Sequence, residues 1–171
     1  MERNSSNTFS RLRILVISAT IISGFLAGGN IDRYIVQVPA FGHIGILCWA
    51  QYSLHADLGN GIFLYPFETV VSFLLLVVAL VIILSNRALL KPALLPIVFA
   101  SVFAFFGLFF TAFAAPVMLG IGNISNDPVL LHKAFDRFHF WGMARAISQV
   151  LSFCACVFGM ARVFVSQPKN S

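Results

Sequence analysis

Apolar residues in this chain gather into four long runs, and most polar residues fall between them. The first run covers residues 14–29 and follows Arg11 and Arg13. A basic start before an apolar run resembles a signal peptide. Here the pattern continues through Tyr34, Ile35 and Val36, which predicts a retained first span. Roughly 20 apolar residues suffice to cross a bilayer. Pro39 and Gly42 are expected to end that helix. The second run, residues 62–84, is unbroken aliphatic over 70–84 apart from Ser72 and Phe73. Asn86, Arg87 and Lys91 predict a tight polar loop, and Pro92 opens a third span that reaches residue 119.

Residues 120–126 read as a loop. Asp127 followed by Pro128 predicts a helix start, with a carboxylate cap and then a ring where no N–H is needed. This fourth helix is expected to reach Val165, which is longer than a bilayer requires. Its first turns, through Phe138, should project beyond the hydrocarbon, with residues 141–162 inside it.

One stretch breaks the pattern. Residues 49–68 read WAQYSLHADLGNGIFLYPFE and place a Trp, two Tyr, a His, an Asp, an Asn and a Glu at the approach to the second span. Residues 43–55 fit a short interfacial or re-entrant helix, because aromatics favour the headgroup level. Residues 57–61 have the composition of a turn.

The totals agree with a membrane protein. Of 171 residues, 59% are hydrophobic and only 10% charged, against about 25% charged in soluble domains. The mean hydropathy is +0.91. The predicted fold is all-α: a four-span antiparallel bundle with short loops, a polar, partly helical first loop and a long fourth helix. Residues 1–10 are expected to be a disordered tail, 11–166 a single membrane domain and 167–171 a short tail. The net charge of +5 does not call for nucleic acid, since the basic residues are scattered among apolar runs. With four spans both termini share one side, with Arg3, Arg11, Arg13, Arg87, Lys91, Arg162 and Lys169. The positive-inside rule then puts both termini in the cytoplasm of an inner (plasma) membrane. All four His and every acid but Glu2 fall toward the opposite face, where the first loop and the front of the fourth helix meet. The expected partners are the lipid bilayer and a small hydrophobic or aromatic ligand, and self-association is left open.

Several residues can carry chemistry. Glu68 lies about two turns into the second span, where insertion scales charge roughly 2.5–3.5 kcal/mol for an acid at a helix centre. It reads as a general base or proton-relay acid, or as half of a structural ion pair. Arg145, one turn inside the fourth span, is its expected partner or an oxyanion holder, unless it snorkels outward. Arg137, Trp141 and Arg145 form one stripe at spacings of four, and Gln149 extends it. His55 and Asp57 can form a His–carboxylate pair suited to base work or to turn capping, with Asn60 beside them. Trp49, Tyr52 and Trp141 are candidate walls of a ligand pocket. The Phe-rich third span (Phe99, Phe103, Phe105, Phe106, Phe109, Phe110 and Phe113) reads mainly as lipid contact and packing, or as further pocket wall. His132, Asp136 and His139, with His43, have metal-capable donors, but no specific metal motif is present and a solvated helix face is the simpler reading. No metal and no cofactor is predicted. Cys48, Cys154 and Cys156 read as small apolar packers.

Two stretches, PAFGHIGILCWAQYSLHADLGNGIFLYPFE (residues 39–68) and AFDRFHFWGMARAISQVLSF (residues 134–153), resemble a family of small bacterial four-helix membrane proteins. The general shape is similar to the broader family that includes fungal anthrone oxygenases. There a final helix often carries an aromatic and then an Arg one turn later, as Trp141 and Arg145 do here. The long polar first loop departs from that wider family. The resemblance implies cofactor-free oxygenation of a polyphenolic anthrone. Such chemistry needs a base (Glu68 or His55), an oxyanion partner (Arg145) and an aromatic pocket (Trp49 with Trp141). The alternatives are a non-enzymatic membrane subunit or scaffold, and a proton- or metal-linked transport or redox component.

Overall fold

The structure, a computed structural model, describes residues 2–165. The long helices are α1 (Glu2–Asp32), α4 (Gly61–Ser85), α5 (Arg87–Leu119) and α7 (Pro128–Val165). The short ones are α2 (Val38–Ile44), α3 (Ile46–Tyr52) and α6 (Ile121–Ile124). Two wide π-helical turns, Arg33–Gln37 and Ser53–Asn60, join α1 to α2 and α3 to α4. Four helical stretches are long and apolar enough to cross a membrane. The protein is an all-α four-helix bundle of the multi-pass membrane type. Neighbouring contacts run α1–α4, α4–α5, α5–α7 and α7–α1, so the helices close into a ring.

The first loop is more helical than its composition suggests. Pro39 and Gly42 do not stop the first helix. The Val38 N–H bonds the Arg33 carbonyl five residues back, and the next residue, Pro39, has no N–H to give. A wide turn of this kind absorbs the proline without breaking the helix. The chain reverses instead at Gly45, whose φ of 101° and ψ of 159° suit a residue without a Cβ. The expected turn at 57–61 is a kink at Gly59 inside the second π-helical turn. Two helical extensions of 38 and 40 residues therefore meet at Gly45. Each is roughly 57–60 Å long at 1.5 Å per residue, about twice the hydrocarbon thickness. Helix α1 also begins at Glu2, through the stretch expected to be a disordered tail. Residues 167–171 lie outside the described residues.

The loop between the second and third spans shrinks to a turn at Asn86, and α5 carries Pro92 and Pro96 in its early turns. The start of α7 follows the sequence. Asp127 Oδ1 accepts from the N–H groups of Val129 (2.9 Å) and Leu130 (3.1 Å), and Pro128 is the first helical residue.

Packing divides the bundle into two halves. At the end nearest the chain termini, Leu12, Val16, Ala79, Ile83, Leu90, Ala93, Ile97 and Val163 form a dry core. Small residues let the helices approach closely, as membrane bundles require. Further along, polar groups bridge the helices. Ser23 and Ser72 Oγ lie 2.7 Å apart, and Ser152 donates to the Ala100 carbonyl at 2.9 Å. Cys156 is buried, 3.8 Å from Ser23. Cys48 and Cys154 are exposed, contrary to their reading as packers. Most Phe residues of α5 are exposed or pack on one another, while Phe105 meets Phe73 of α4 and Phe110 and Phe113 stack on Trp141.

Replacing Asp127 by Ala should cost about 1 kcal/mol of stability, while Asp127→Ser should retain most of it. Reversible unfolding in mixed detergent micelles measures both, and equal stability of all three proteins would contradict the cap.

Candidate functional site

Beyond the Ser23–Ser72 contact the helices part around a cavity of about 460 Å³. Small-molecule pockets commonly span about 300–1,000 Å³, so this one can take a ligand of several rings. Its walls come from α1, both π-helical turns, α4, α5 and α7.

The polar lining is layered. Deepest, Asn30 donates to the Leu26 carbonyl (2.6 Å) and to Gln149 Oε1, and Gln149 in turn reaches Thr69 Oγ1 at 3.5 Å. Asn30 and Gln149 thus tie α1 to α7, with Thr69 adding α4. One helical turn outward lies an ion pair between Arg33 and Asp57. Arg33 is the first residue of one π-helical turn and Asp57 lies in the other. Their side chains are only 12% and 6% exposed. The Arg33 guanidinium also lies 5.8 Å from the centre of the Phe138 ring.

Arg145 lines the same cavity from α7. Its Nε is buried with no hydrogen-bond partner, and no ion pair joins it to any described residue. The Tyr34 hydroxyl, from the first π-helical turn, is likewise buried and unpartnered. A Cβ at Gly142 would run into that hydroxyl, so Gly142 leaves the space Tyr34 occupies. Glu68, partly exposed, borders the cavity from α4 and makes no ion pair with Arg145.

Four of the residues singled out in the sequence therefore converge: Asp57, Glu68, Arg145 and Gln149. The rest sit elsewhere. His55 and Asn60 are exposed and do not line the cavity. Asp57 pairs with Arg33 and not with His55. Two positions apart in a helical turn, the two side chains point to nearly opposite sides. Tyr52 is exposed and packs on Phe41, with ring centres 5.3 Å apart. Trp49 is buried behind the cavity wall, edge-on to Phe135 at 5.1 Å and near Phe138 at 6.2 Å, where it docks α3 onto α7. Trp141 stacks on Phe113 of α5 at 4.8 Å and is not part of the cavity lining. Arg137 is exposed, so the stripe it was thought to share with Arg145 does not run inward together.

The imidazoles do not converge either. His132 Nδ1 contacts the Pro128 carbonyl at 2.8 Å, and His139 packs between Tyr34 and Phe135. Among the described residues no three His, Cys, Asp or Glu side chains come together.

From the sequence, Asn30, Asp32 and Arg33 read as the far end of the first span, either solvated or facing the bundle interior, and all three line the cavity, whereas Gln37, Thr69 and Thr111 were unmarked polar members of the lining. Asn30 and Arg33, three apart, share a helix face with Leu26, and that spacing was the available signal.

Removing Asp57 strands a largely buried guanidinium, so Asp57→Ala should cost about 3–5 kcal/mol, while the double change Arg33→Met/Asp57→Leu should recover most of the loss. A double-mutant cycle on unfolding in mixed micelles measures this, and purely additive losses would mean the pair contributes nothing.

The chain matches no family model, no curated protein and no solved structure, so the chemistry of the site rests on these residues alone.

Proposed function

We propose that this protein binds a hydrophobic phenolic molecule in its mid-bundle cavity and promotes its oxygenation without a cofactor. The observation that carries this reading is Arg145. An arginine in a membrane interior costs roughly 2.5–3.5 kcal/mol on insertion scales, and buried charges in proteins are normally paired. Arg145 lines a ligand-sized space with its Nε buried and unpartnered. A guanidinium left open in this way suits an oxyanion that arrives with a ligand. Glu68 borders the same space and supplies a carboxylate base. His55, exposed and off the cavity, has no part in this reading.

For an anthrone the steps balance simply. Glu68 takes a proton from the methylene carbon, and Arg145 holds the resulting enolate oxygen. The enolate is oxidised by molecular oxygen, one oxygen atom becoming the new carbonyl and the other leaving as water. Each anthrone therefore consumes one O₂ and gives one anthraquinone and one water. The similarity of Trp141 and Arg145 to the anthrone-oxygenase pattern supports the same class.

A second reading, a structural subunit, draws on the Asn30–Gln149 and Arg33–Asp57 contacts, which tie the helices together. It gives no role to Arg145.

Oxygen uptake by the purified protein with anthrone-like phenols separates the two. The wild type should consume oxygen, and Glu68→Gln and Arg145→Gln should each lower the rate by about 10²-fold or more. Rates unaffected by both changes, or no uptake at all, would reject the enzyme.

We place the termini in the cytoplasm of an inner membrane, on the balance of basic residues described above. Cys48 is exposed near the Gly45 reversal. In intact cells it should react with an impermeant thiol reagent in a variant that keeps it as the sole cysteine. Labelling only after lysis would invert the orientation.

A further inference from the structure

We infer that the cavity receives its ligand sideways from the hydrocarbon, through the seam between α1 and α4, and that this ligand is a hydrophobic body carrying one acidic group held by Arg145. This rests on the proposed reading of the cavity as a ligand site and specifies its route and substrate class.

The seam is closed at one level and open at the next. Ser23 and Ser72, with Oγ atoms 2.7 Å apart, join α1 to α4. On α1, Gly24 faces Phe153 of α7, whose ring an added Cβ would meet at 3.2 Å. Phe25 and Gly29 lie about 100° and 140° around the helix from that contact, turned away from α7. Both line the cavity, yet both are exposed. A Cβ placed on Gly29 would meet nothing within 4 Å, so the space beside it is unfilled. Across the seam, Tyr65 and Glu68 of α4 also line the cavity while remaining open to the outside. At this level the residues that line the cavity from α1 and α4 are themselves open to the outside. A molecule dissolved in the bilayer can pass its head between α1 and α4 and leave its body in hydrocarbon.

The charges inside define the head. Arg33 is neutralised by Asp57. Asp32 is exposed at the mouth and accepts from Gln37 at 2.6 Å. Arg145 alone among the guanidinium groups of the lining lacks an acceptor. It can take one carboxylate or enolate, whose planar oxygens match the guanidinium fork. A second negative charge would face Glu68 across the seam, which favours a monoanion over a phosphate dianion.

The test uses the purified full chain in phosphatidylcholine nanodiscs. The probes are anthracene-9-carboxylate and the neutral anthracene-9-carboxamide, with binding followed by their fluorescence. The carboxylate should bind at least tenfold tighter than the carboxamide. Arg145→Gln should erase that preference while both probes still bind. Gly29→Leu should slow association of both at least tenfold, and Gly29→Ala should slow it less. Gly28→Leu, whose side chain enters open space off the cavity lining, should leave the rate unchanged. Equal wild-type affinity for the two probes would overturn the acidic head but keep the cavity as a ligand site. Association unchanged by Gly29→Leu would overturn the lateral route. Failure of both probes to bind would overturn this inference and the proposed function together.

Discussion

The first hairpin depends on one ion pair, Arg33 with Asp57. Each partner sits in a π-helical turn, and each turn is a departure from the α-helix that the chain would otherwise continue. A wide turn leaves part of the backbone ladder in weaker geometry, so something must hold it. In the low-dielectric interior a charge-assisted contact is worth far more than at a surface, and its loss is correspondingly costly. The pair fastens the two extensions to each other at the cavity wall. Trp49 adds a second anchor by seating α3 against Phe135 and Phe138 of α7. With both in place, the reversal at Gly45 closes over one end of the bundle, and Asp57 becomes part of the cavity wall.

The four helices do opposite things along their length. Near the chain termini the interior is filled by Leu12, Ile83, Leu90 and Ile97, all fully buried. Close packing at that end leaves no room for a wet path, since interiors pack about as densely as organic crystals. Above it the interior turns to serine, then to amides, then to charges. A transporter of only four spans would need access from both faces. Here the polar column ends against an apolar plug, which fits a site reached from one level of the membrane better than it fits a through route.

How much of this was legible in the sequence follows from the cost of polar atoms in apolar surroundings. Glu68, Arg145 and Gln149 interrupt runs where each polar group is expensive, and each borders the cavity. The four spans and the Asp127 cap were legible for the same local reasons. Arg33 was harder, because a charge near the end of a span can equally be solvated, and its partner lies 24 residues away across a reversal. Proline and glycine misled: Pro39 was expected to end a helix, but a neighbouring wide turn took up its missing donor. Residue spacing paired His55 with Asp57 as though the segment were an irregular turn. In the helical turn it actually forms, the two diverge, and Arg33 collects the carboxylate.

A polar network that ties helices together should be saturated, because a half-satisfied network is worse than an apolar core. Much of this interior meets that condition. Asn30 gives both of its amide contacts, Gln149 bridges two helices, and Arg33 has its acid. Arg145 departs from it, with a buried Nε that no described residue satisfies. Tyr34, whose hydroxyl is also unsatisfied, is admitted beside α7 only because residue 142 is a glycine. A structural role would be served as well by methionine at 145, at lower cost in the membrane. On the proposed reading the missing acceptor comes from outside the chain, and the unfilled space beside Gly29 in the cavity lining is its way in.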